Sequence, residues 1–293
     1  MGMRVRTNVA SLKAQRHLTR NADAKQNTME QLSSGYRINK SADDAAGLAI
    51  SETLRGKIRS TEQARRNAND GVSLIQVAEG SMNEIGNILV RMRELATQAA
   101  SDTIGNRERS YTNKEYRQLV NEIDRITNTT EFNGAKLLGG ADANDGVGSL
   151  VFHVGTGTGV SENTDTISLN IEDVKLSSEV FQLGQESEIG PVDPGGDFSR
   201  EAAAEKMTTI DNALNHLSGA RAELGAKQSR LTSTINNLGV SLENMSITNS
   251  RIRDVDFAAA TADFTKQRIL GQAGASILSQ ANQDPELALN LLR

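Results

Sequence analysis

Apolar positions in the second half of the chain return in alternate steps of four and three residues. The series runs Ala203, Met207, Ile210, Leu214, Leu217, Arg221, Leu224, Gln228, Leu231, Ile235, Leu238, Leu242 and Met245, and eleven of the thirteen are apolar. The residues between them are mostly Asn, Ser, Thr, Lys, Arg and Glu. A seam of this kind predicts a long helix pressed against other helices. At 1.5 Å per residue it would be a rod of roughly 65 Å. A second stripe with the same step runs Ala68, Gly71, Ile75, Ala78, Met82, Ile85, Leu89, Met92, Ala96 and Ala99. Two long stripes so far apart in sequence are most simply satisfied by each other. The expected packing seam is therefore Ile75, Met82, Ile85, Leu89 and Met92 against Leu214, Leu217, Leu224, Leu231, Ile235, Leu238 and Leu242.

A third helical stretch is expected between Ala99 and Gly139, where Tyr116, Leu119, Ile123 and Ile126 are three and four apart. Phe132-Asn133-Gly134 then turns the chain. Helices stop being plausible beyond it, because twelve of the 25 glycines fall between Gly134 and Gly196, together with Pro191 and Pro194. Within that region Ser149–Val154 and Thr166–Ile171 read as short strands, the second with clean alternation. The fold class predicted is mainly α: an elongated antiparallel helical bundle or coiled coil made by the two ends of the chain, with a small β-rich section in the middle.

The outer arms are less determined. From Val5 to Leu32 the apolar residues Val5, Val9, Leu12, Leu18, Met29 and Leu32 form a stripe too sparse to hold a helix alone. This arm is expected to be disordered in the isolated chain and to order on assembly. Between residues 32 and 50 a hinge joins two helices: Gly35 supplies a left-handed stop, and Ser41 is expected to cap the next helix with Asp43 and Asp44 in its first turn. From Phe257 to Asn282 the chain is rich in Ala and Gly, with Leu270, Ala273, Ile277 and Ala281 on one face, a composition that lets helices approach closely.

Composition narrows the function classes. Aromatics are 3%, Trp and Cys are absent, and the hydrophobic fraction is 37%, so cores must be aliphatic and narrow. The absence of cysteine removes disulfides, thiol nucleophiles and cysteine metal clusters together. The net charge is -5, yet residues 140–205 carry thirteen acidic groups against Lys175 and Arg200, leaving the remainder net positive. That acidic middle excludes nucleic-acid binding through it. No apolar run reaches the length of a membrane span or forms the core of a signal peptide, which by itself predicts a cytoplasmic protein. No catalytic group, cofactor or metal is expected. His17, His153 and His216 are far apart, Gly155-Thr-Gly-Thr-Gly159 lacks the Lys of a phosphate loop, and Asp142-Ala-Asn-Asp-Gly146 has the wrong spacing for calcium, with His153 at the bidentate Glu position. On these grounds alone a self-assembling structural protein and a heteromeric coiled-coil adaptor are equally supported.

Several stretches carry a resemblance. Leu32 to Ile50, Arg65-Arg-Asn-Ala-Asn-Asp-Gly71 and Val90-Arg-Met-Arg-Glu-Leu95 are similar to the N-terminal signature of bacterial flagellins. Asn249-Ser-Arg-Ile-Arg-Asp-Val-Asp-Phe257, Ile269 to Asn282 and Leu291-Leu292-Arg293 resemble the matching C-terminal region. The resemblance implies a short form without large outer domains. It implies a subunit exported unfolded by the flagellar type III secretion apparatus, without a cleaved signal peptide, that polymerises with itself into the extracellular filament used for motility. Residues 1–42 and 256–293 would be arms forming the inner tube, 43–140 and 198–255 the long-helix rod, and 141–197 a short insertion. The polymerisation arms would use Val5, Val9, Leu12, Phe257, Phe264, Leu270, Ile277 and Leu291. Implied partners are an export chaperone, the secretion apparatus, the filament cap and the innate immune flagellin receptor of animal hosts, the last through Arg91, Leu95 and Glu115. The alternatives within and beyond this pathway are a hook-filament junction protein, and an adhesin or enzyme carried on flagellin-like ends.

Overall fold

A computed structural model describes residues 7–140, 148–157, 165–184, 188–190 and 200–290, residues 200–201 and 284–290 by their backbone alone. Val5, Leu291, Pro191, Pro194, the Asp142–Gly146 loop and Gly159 lie outside the described residues. The chain is mainly α and divides into a terminal unit, Met1–Ile58 with Glu243–Arg293, and a central unit, Arg59–Leu242.

In the terminal unit α1 (Val9–Ser34) begins at Asn8, whose side-chain oxygen accepts from the Ser11 N–H at 3.0 Å. It ends at Gly35, where φ of 75° is left-handed and the Gly35 N–H returns to the Gln31 carbonyl, the stop expected of glycine at that place. The cap of α2 (Ala45–Ala99) is Asp44, not Ser41: Asp44 Oδ1 accepts from the Gly47 N–H at 2.9 Å. Asp43 also lies before the helix, not in its first turn. Its carboxylate folds back to accept the N–H groups of Asn39 and Lys40, and those bonds hold its pKa below the usual aspartate value, the Lys40 contact first. Serine and aspartate cap helices about equally well, so it is the path of the backbone, starting the helix at Ala45, that moves the cap three residues on from the expected serine. Helix α5 (Phe257–Asn290) is started by Asp256, whose Oδ1 accepts from Ala258 and Ala259. The arms α1 and α5 are both helical and pack antiparallel on one another.

The central unit holds the hydrophobic core. Ile75, Met82, Ile85, Leu89 and Met92 of α2 are fully buried, and so are Ile210, Leu217, Leu224 and Leu231 of α4 (Arg200–Arg253). Contacts run antiparallel: Thr97 with Met207, Arg93 with Asp211, and the backbone beside Gly86 and Gly71 against the methyls of Leu217 and Leu231. Leu214 and Ile235 pack partly buried against this core, and Leu238 and Leu242 are half-exposed.

Helix α3 (Asn106–Thr129) completes the bundle with Tyr116, Val120 and Ile123 buried and Leu119 and Ile126 partly so. Asn133 and Gly134, at φ of 51° and 83°, make the turn between β1 (Glu131–Phe132) and β2 (Ala135–Lys136), the left-handed pair that a two-residue hairpin needs. Strands β3 (Ser149–His153) and β4 (Thr166–Asn170) pair antiparallel, Ser149 opposite Asn170 and His153 opposite Thr166. Beyond β4 and a 3₁₀ turn at Glu172–Val174, Leu176, Phe181, Leu183 and Ile189 enter the core. The main chain there is held by side chains of α3, Ser178 N–H by Asp124 at 2.9 Å and Ile189 N–H by Asn113 at 3.2 Å.

Candidate assembly surface

Among the described residues the terminal unit contributes nothing to the hydrophobic core cluster, all of whose members lie between Ala68 and Ile235. What α1 and α5 bury against each other is small or polar: Ser11, Thr28, Ala260 and Ala281. Close approach comes from α5 glycines; a Cβ on Gly274 would sit 3.0 Å from the Leu18 methyl. Directional bonds replace apolar packing. Asn8 donates to the Ala281 carbonyl at 2.6 Å, Ser11 to Asn282 Oδ1 at 2.8 Å, and Asn21 to the Gln267 carbonyl at 2.8 Å. The Lys25 ammonium stands 5.7 Å from the centre of the half-exposed Phe264 ring.

Large apolar side chains instead face outward. Val9, Leu12 and Met29 on α1 are exposed, as are Phe257, Ile269, Leu270 and Ile277 on α5, the last three at 57%, 51% and 60%. Ile269, Leu270, Ala273 and Ile277 share one side of α5, next to an open groove of about 440 Å³ lined with Ala14, His17, Leu18 and Asn21 of α1. Of the face expected on α5, Ala281 alone is buried, because it meets Asn8. Helices that bury alanine and serine and expose isoleucine and leucine are built to be covered by something else.

The three residues expected to meet a receptor separate. Arg91 donates to Glu115 at 2.9 and 3.0 Å and to Glu94 at 2.9 Å, and these bonds raise its pKa, Glu115 most. All three lie exposed on α2 and α3. Leu95 does not join them: it is 1% exposed, because α3 widens the buried stripe of α2 beyond the seam. The patch expected of Arg91, Leu95 and Glu115 is thus an ion-pair cluster without its leucine.

The histidines stand apart. His17 lines the arm groove, the His153 carbonyl accepts from Asn67, and His216 meets Phe181 edge-on at 5.9 Å. The start of the glycine loop is filled from within: the Asp165 carboxylate occupies the space that side chains on Gly155 and Gly157 would take, and the Asp165 carbonyl accepts from the Val154 and Gly155 N–H groups at 2.8 and 3.0 Å. Among the described residues no group of three or more His, Asp or Glu is placed to hold a metal, and no helix is long and apolar enough to cross a membrane. Arg109, which the sequence did not single out, is the main buried charge among the described residues: 8% exposed, it donates to the Ala99 and Ser101 carbonyls and to Asn106, closing the C-terminal end of α2.

Two family models match. Residues 5–143 fit the bacterial flagellin N-terminal helical region and residues 207–292 fit the bacterial flagellin C-terminal helical region. The chain belongs to the bacterial flagellin family. It is 42% identical to "Flagellin" of Bacillus subtilis (strain 168), over 99% of this chain and all of that one. It is 39% identical to "Flagellar filament 33 kDa core protein" of Treponema phagedenis, again over 99% of this chain and all of the relative. A solved structure of a putative flagellar hook-associated protein from Vibrio parahaemolyticus matches at a TM-score of 0.58 over 72% of this chain and all of that one; at 15% identity it speaks to the fold alone.

Proposed function

We infer that the chain is a structural subunit of the bacterial flagellar filament, which assembles with copies of itself into the extracellular helical polymer that drives motility. One observation carries this reading: among the described residues the terminal arms lack a core of their own and present isoleucine, leucine and phenylalanine outward, whereas the central unit is closed around its core. Family membership over the whole length supports it. Covering the arms with neighbouring copies removes that surface from water, and the ordering entropy of the arms is then met by contacts between subunits. In this reading residues 1–42 and 256–293 form the inner tube, 43–140 and 198–255 the surrounding rod, and 141–197 a short outer insertion. The isolated arms are disordered before assembly. The chain is not an enzyme; its chemistry is packing.

Export unfolded through the flagellar type III apparatus, with a chaperone and a filament cap as partners, completes the same reading. Recognition by an animal innate immune receptor would fall on the Arg91 and Glu115 surface. The test is seeded growth of the purified chain followed by negative-stain microscopy. The full chain extends the seeds into long filaments; a chain ending at residue 256 stays soluble, keeps its helical melt and adds nothing. Extension by the truncated chain, or failure of the full chain to extend matched seeds, overturns the reading, and growth arrested at a short junction points to the hook-filament alternative.

A further inference from the structure

Glycines along the middle of α2 differ in what surrounds them. Gly71 and Gly86 are accounted for within the chain, since a Cβ at either would press on the methyls of Leu231 or Leu217 at 3.3 Å. Gly80, between them, has nothing within 4 Å of where a Cβ would stand, although glycine weakens a helix relative to alanine. It lines an open groove of about 600 Å³ between α2 and α3, beside Val77, which is exposed, and the half-buried Ile88 and Ile126. The groove is acidic. Glu84, Glu122 and Glu131 line it against one cation, Arg125, which Glu122 takes at 2.6 Å. Lys136 stands across the hairpin from Glu131. Glu84 is exposed and makes no ion pair among the described residues.

Helix α4 carries a surface of matching form on its far side. Opposite the buried row of Leu217, Leu224 and Leu231, the residues Ala222, Ala226, Ser229, Ser233, Asn236 and Val240 return in the same alternate steps of four and three, and all are exposed. A ridge of such low relief can seat deeply between two other helices. Its charge has the sign that the groove lacks. Glu79 and Glu223 pair with Arg221 and Lys227, whereas Arg230, on the flank of the row, is exposed and makes no ion pair among the described residues. Groove and ridge are different patches of one chain, so joining them links copies head to tail, an arrangement that extends into rings or open filaments where a self-complementary patch stops at two.

We propose that the α2–α3 groove of one copy receives the outward ridge of α4 from another, with Arg230 set against Glu84. The contact rests on the assembly reading above, adds an interface within the central unit, and asks nothing of the arms before assembly.

Seeded growth of the full chain tests it. Arg230→Glu and Glu84→Lys each bring like charges together and raise the critical concentration about tenfold. Combined in one chain they restore the attraction with its sign reversed, and growth returns to within about threefold of the parent. Gly80→Gln fills the groove and raises the critical concentration by a similar factor, yet the unassembled chain melts no lower than the parent, because a helix prefers glutamine to glycine. The chain has no cysteine of its own. Chains carrying Gly80→Cys, mixed at high concentration with chains carrying Ala226→Cys or Ser233→Cys, a turn to either side of Arg230, therefore form a disulfide between unlike chains on oxidation. Charge reversals that grow within twofold of the parent or fail to rescue each other, or the absence of an unlike-chain disulfide with both partners, overturn the docking. If the parent itself never extends seeds, the filament reading falls, and the disulfide between unlike chains still decides the docking.

Discussion

Replacing Ile277 with Asp separates assembly from folding. The side chain is 60% exposed on α5 and belongs to no core cluster, so the unassembled chain loses almost nothing by the change. Covering a large aliphatic side chain fully is worth about 1.5–3 kcal/mol relative to leaving it exposed, so the part of Ile277 still open to water holds about 1–2 kcal/mol for an interface. The aspartate forfeits that and must also be desolvated as an unpaired charge, which costs several kcal/mol more unless it is neutralised. A combined loss of at least ~3 kcal/mol per added subunit corresponds to a rise in critical concentration of about a hundredfold or more, since each 1.4 kcal/mol is about tenfold. Ile277→Val, one methylene shorter, should lose ~0.8 kcal/mol and raise the critical concentration only about fourfold. Sedimentation of seeded reactions over a concentration series reads both values, and circular dichroism melting reads the fold. An Ile277→Asp protein that melts and assembles like the parent would show that this face of α5 is not covered in the polymer.

Other perturbations probe the central unit and the turn. Leu89→Ala removes a fully buried seam residue and should cost ~2–5 kcal/mol, lowering the midpoint of thermal unfolding by about 2–4 °C for each kcal/mol; an unchanged midpoint would mean the seam is not the core. Arg109→Met strips the partners from the Ala99 and Ser101 carbonyls at the end of α2 and should cost about 2–4 kcal/mol in urea unfolding. Arg93→Ala, by contrast, breaks an exposed pair with Asp211 and should change the unfolding free energy read in urea by less than about 1 kcal/mol. The Asp43 carboxylate is held below its ordinary value of 3.8, so its support of the turn is complete above that value and is lost as pH falls through the lower folded value. Amide shifts of Asn39 and Lys40 followed by NMR should titrate with a midpoint under 3.8, and Asp43→Asn should abolish the titration; a midpoint at or above 3.8 would contradict the turn geometry.

The parts of this fold written as periodic apolar residues were readable from the sequence: the α2 stripe, the α4 stripe through Leu231, both hairpin strands, and the stop at Gly35. What escaped was written in polar residues. Asp124 and Asn113 read as solvated positions of α3, yet they hold the main chain of the buried segment after β4. Arg109 belongs to the inward face of α3 with Asn113, Tyr116, Val120 and Ile123, but hydropathy ranks a guanidinium as surface. The Ser41 cap failed because several residues in that turn can accept hydrogen bonds, and only the path of the backbone selects Asp44. Leu95 entered the expected receptor patch through the family resemblance alone, which carries no burial, and the structure places it in the core. On the arms the pattern itself was readable and its weakness informative, since the same sparse stripe that cannot make a core leaves Leu270 and Ile277 facing out.

The clamp at the mouth of the β3–β4 hairpin makes this chain a practical carrier for grafted peptides. One carbonyl, that of Asp165, grips two successive amides, while the carboxylate of the same residue fills the hollow beside them. A foreign epitope spliced beyond Gly157 would start and finish at a fixed separation on the flank of each subunit, so a polymer of such subunits would display it as a regular array.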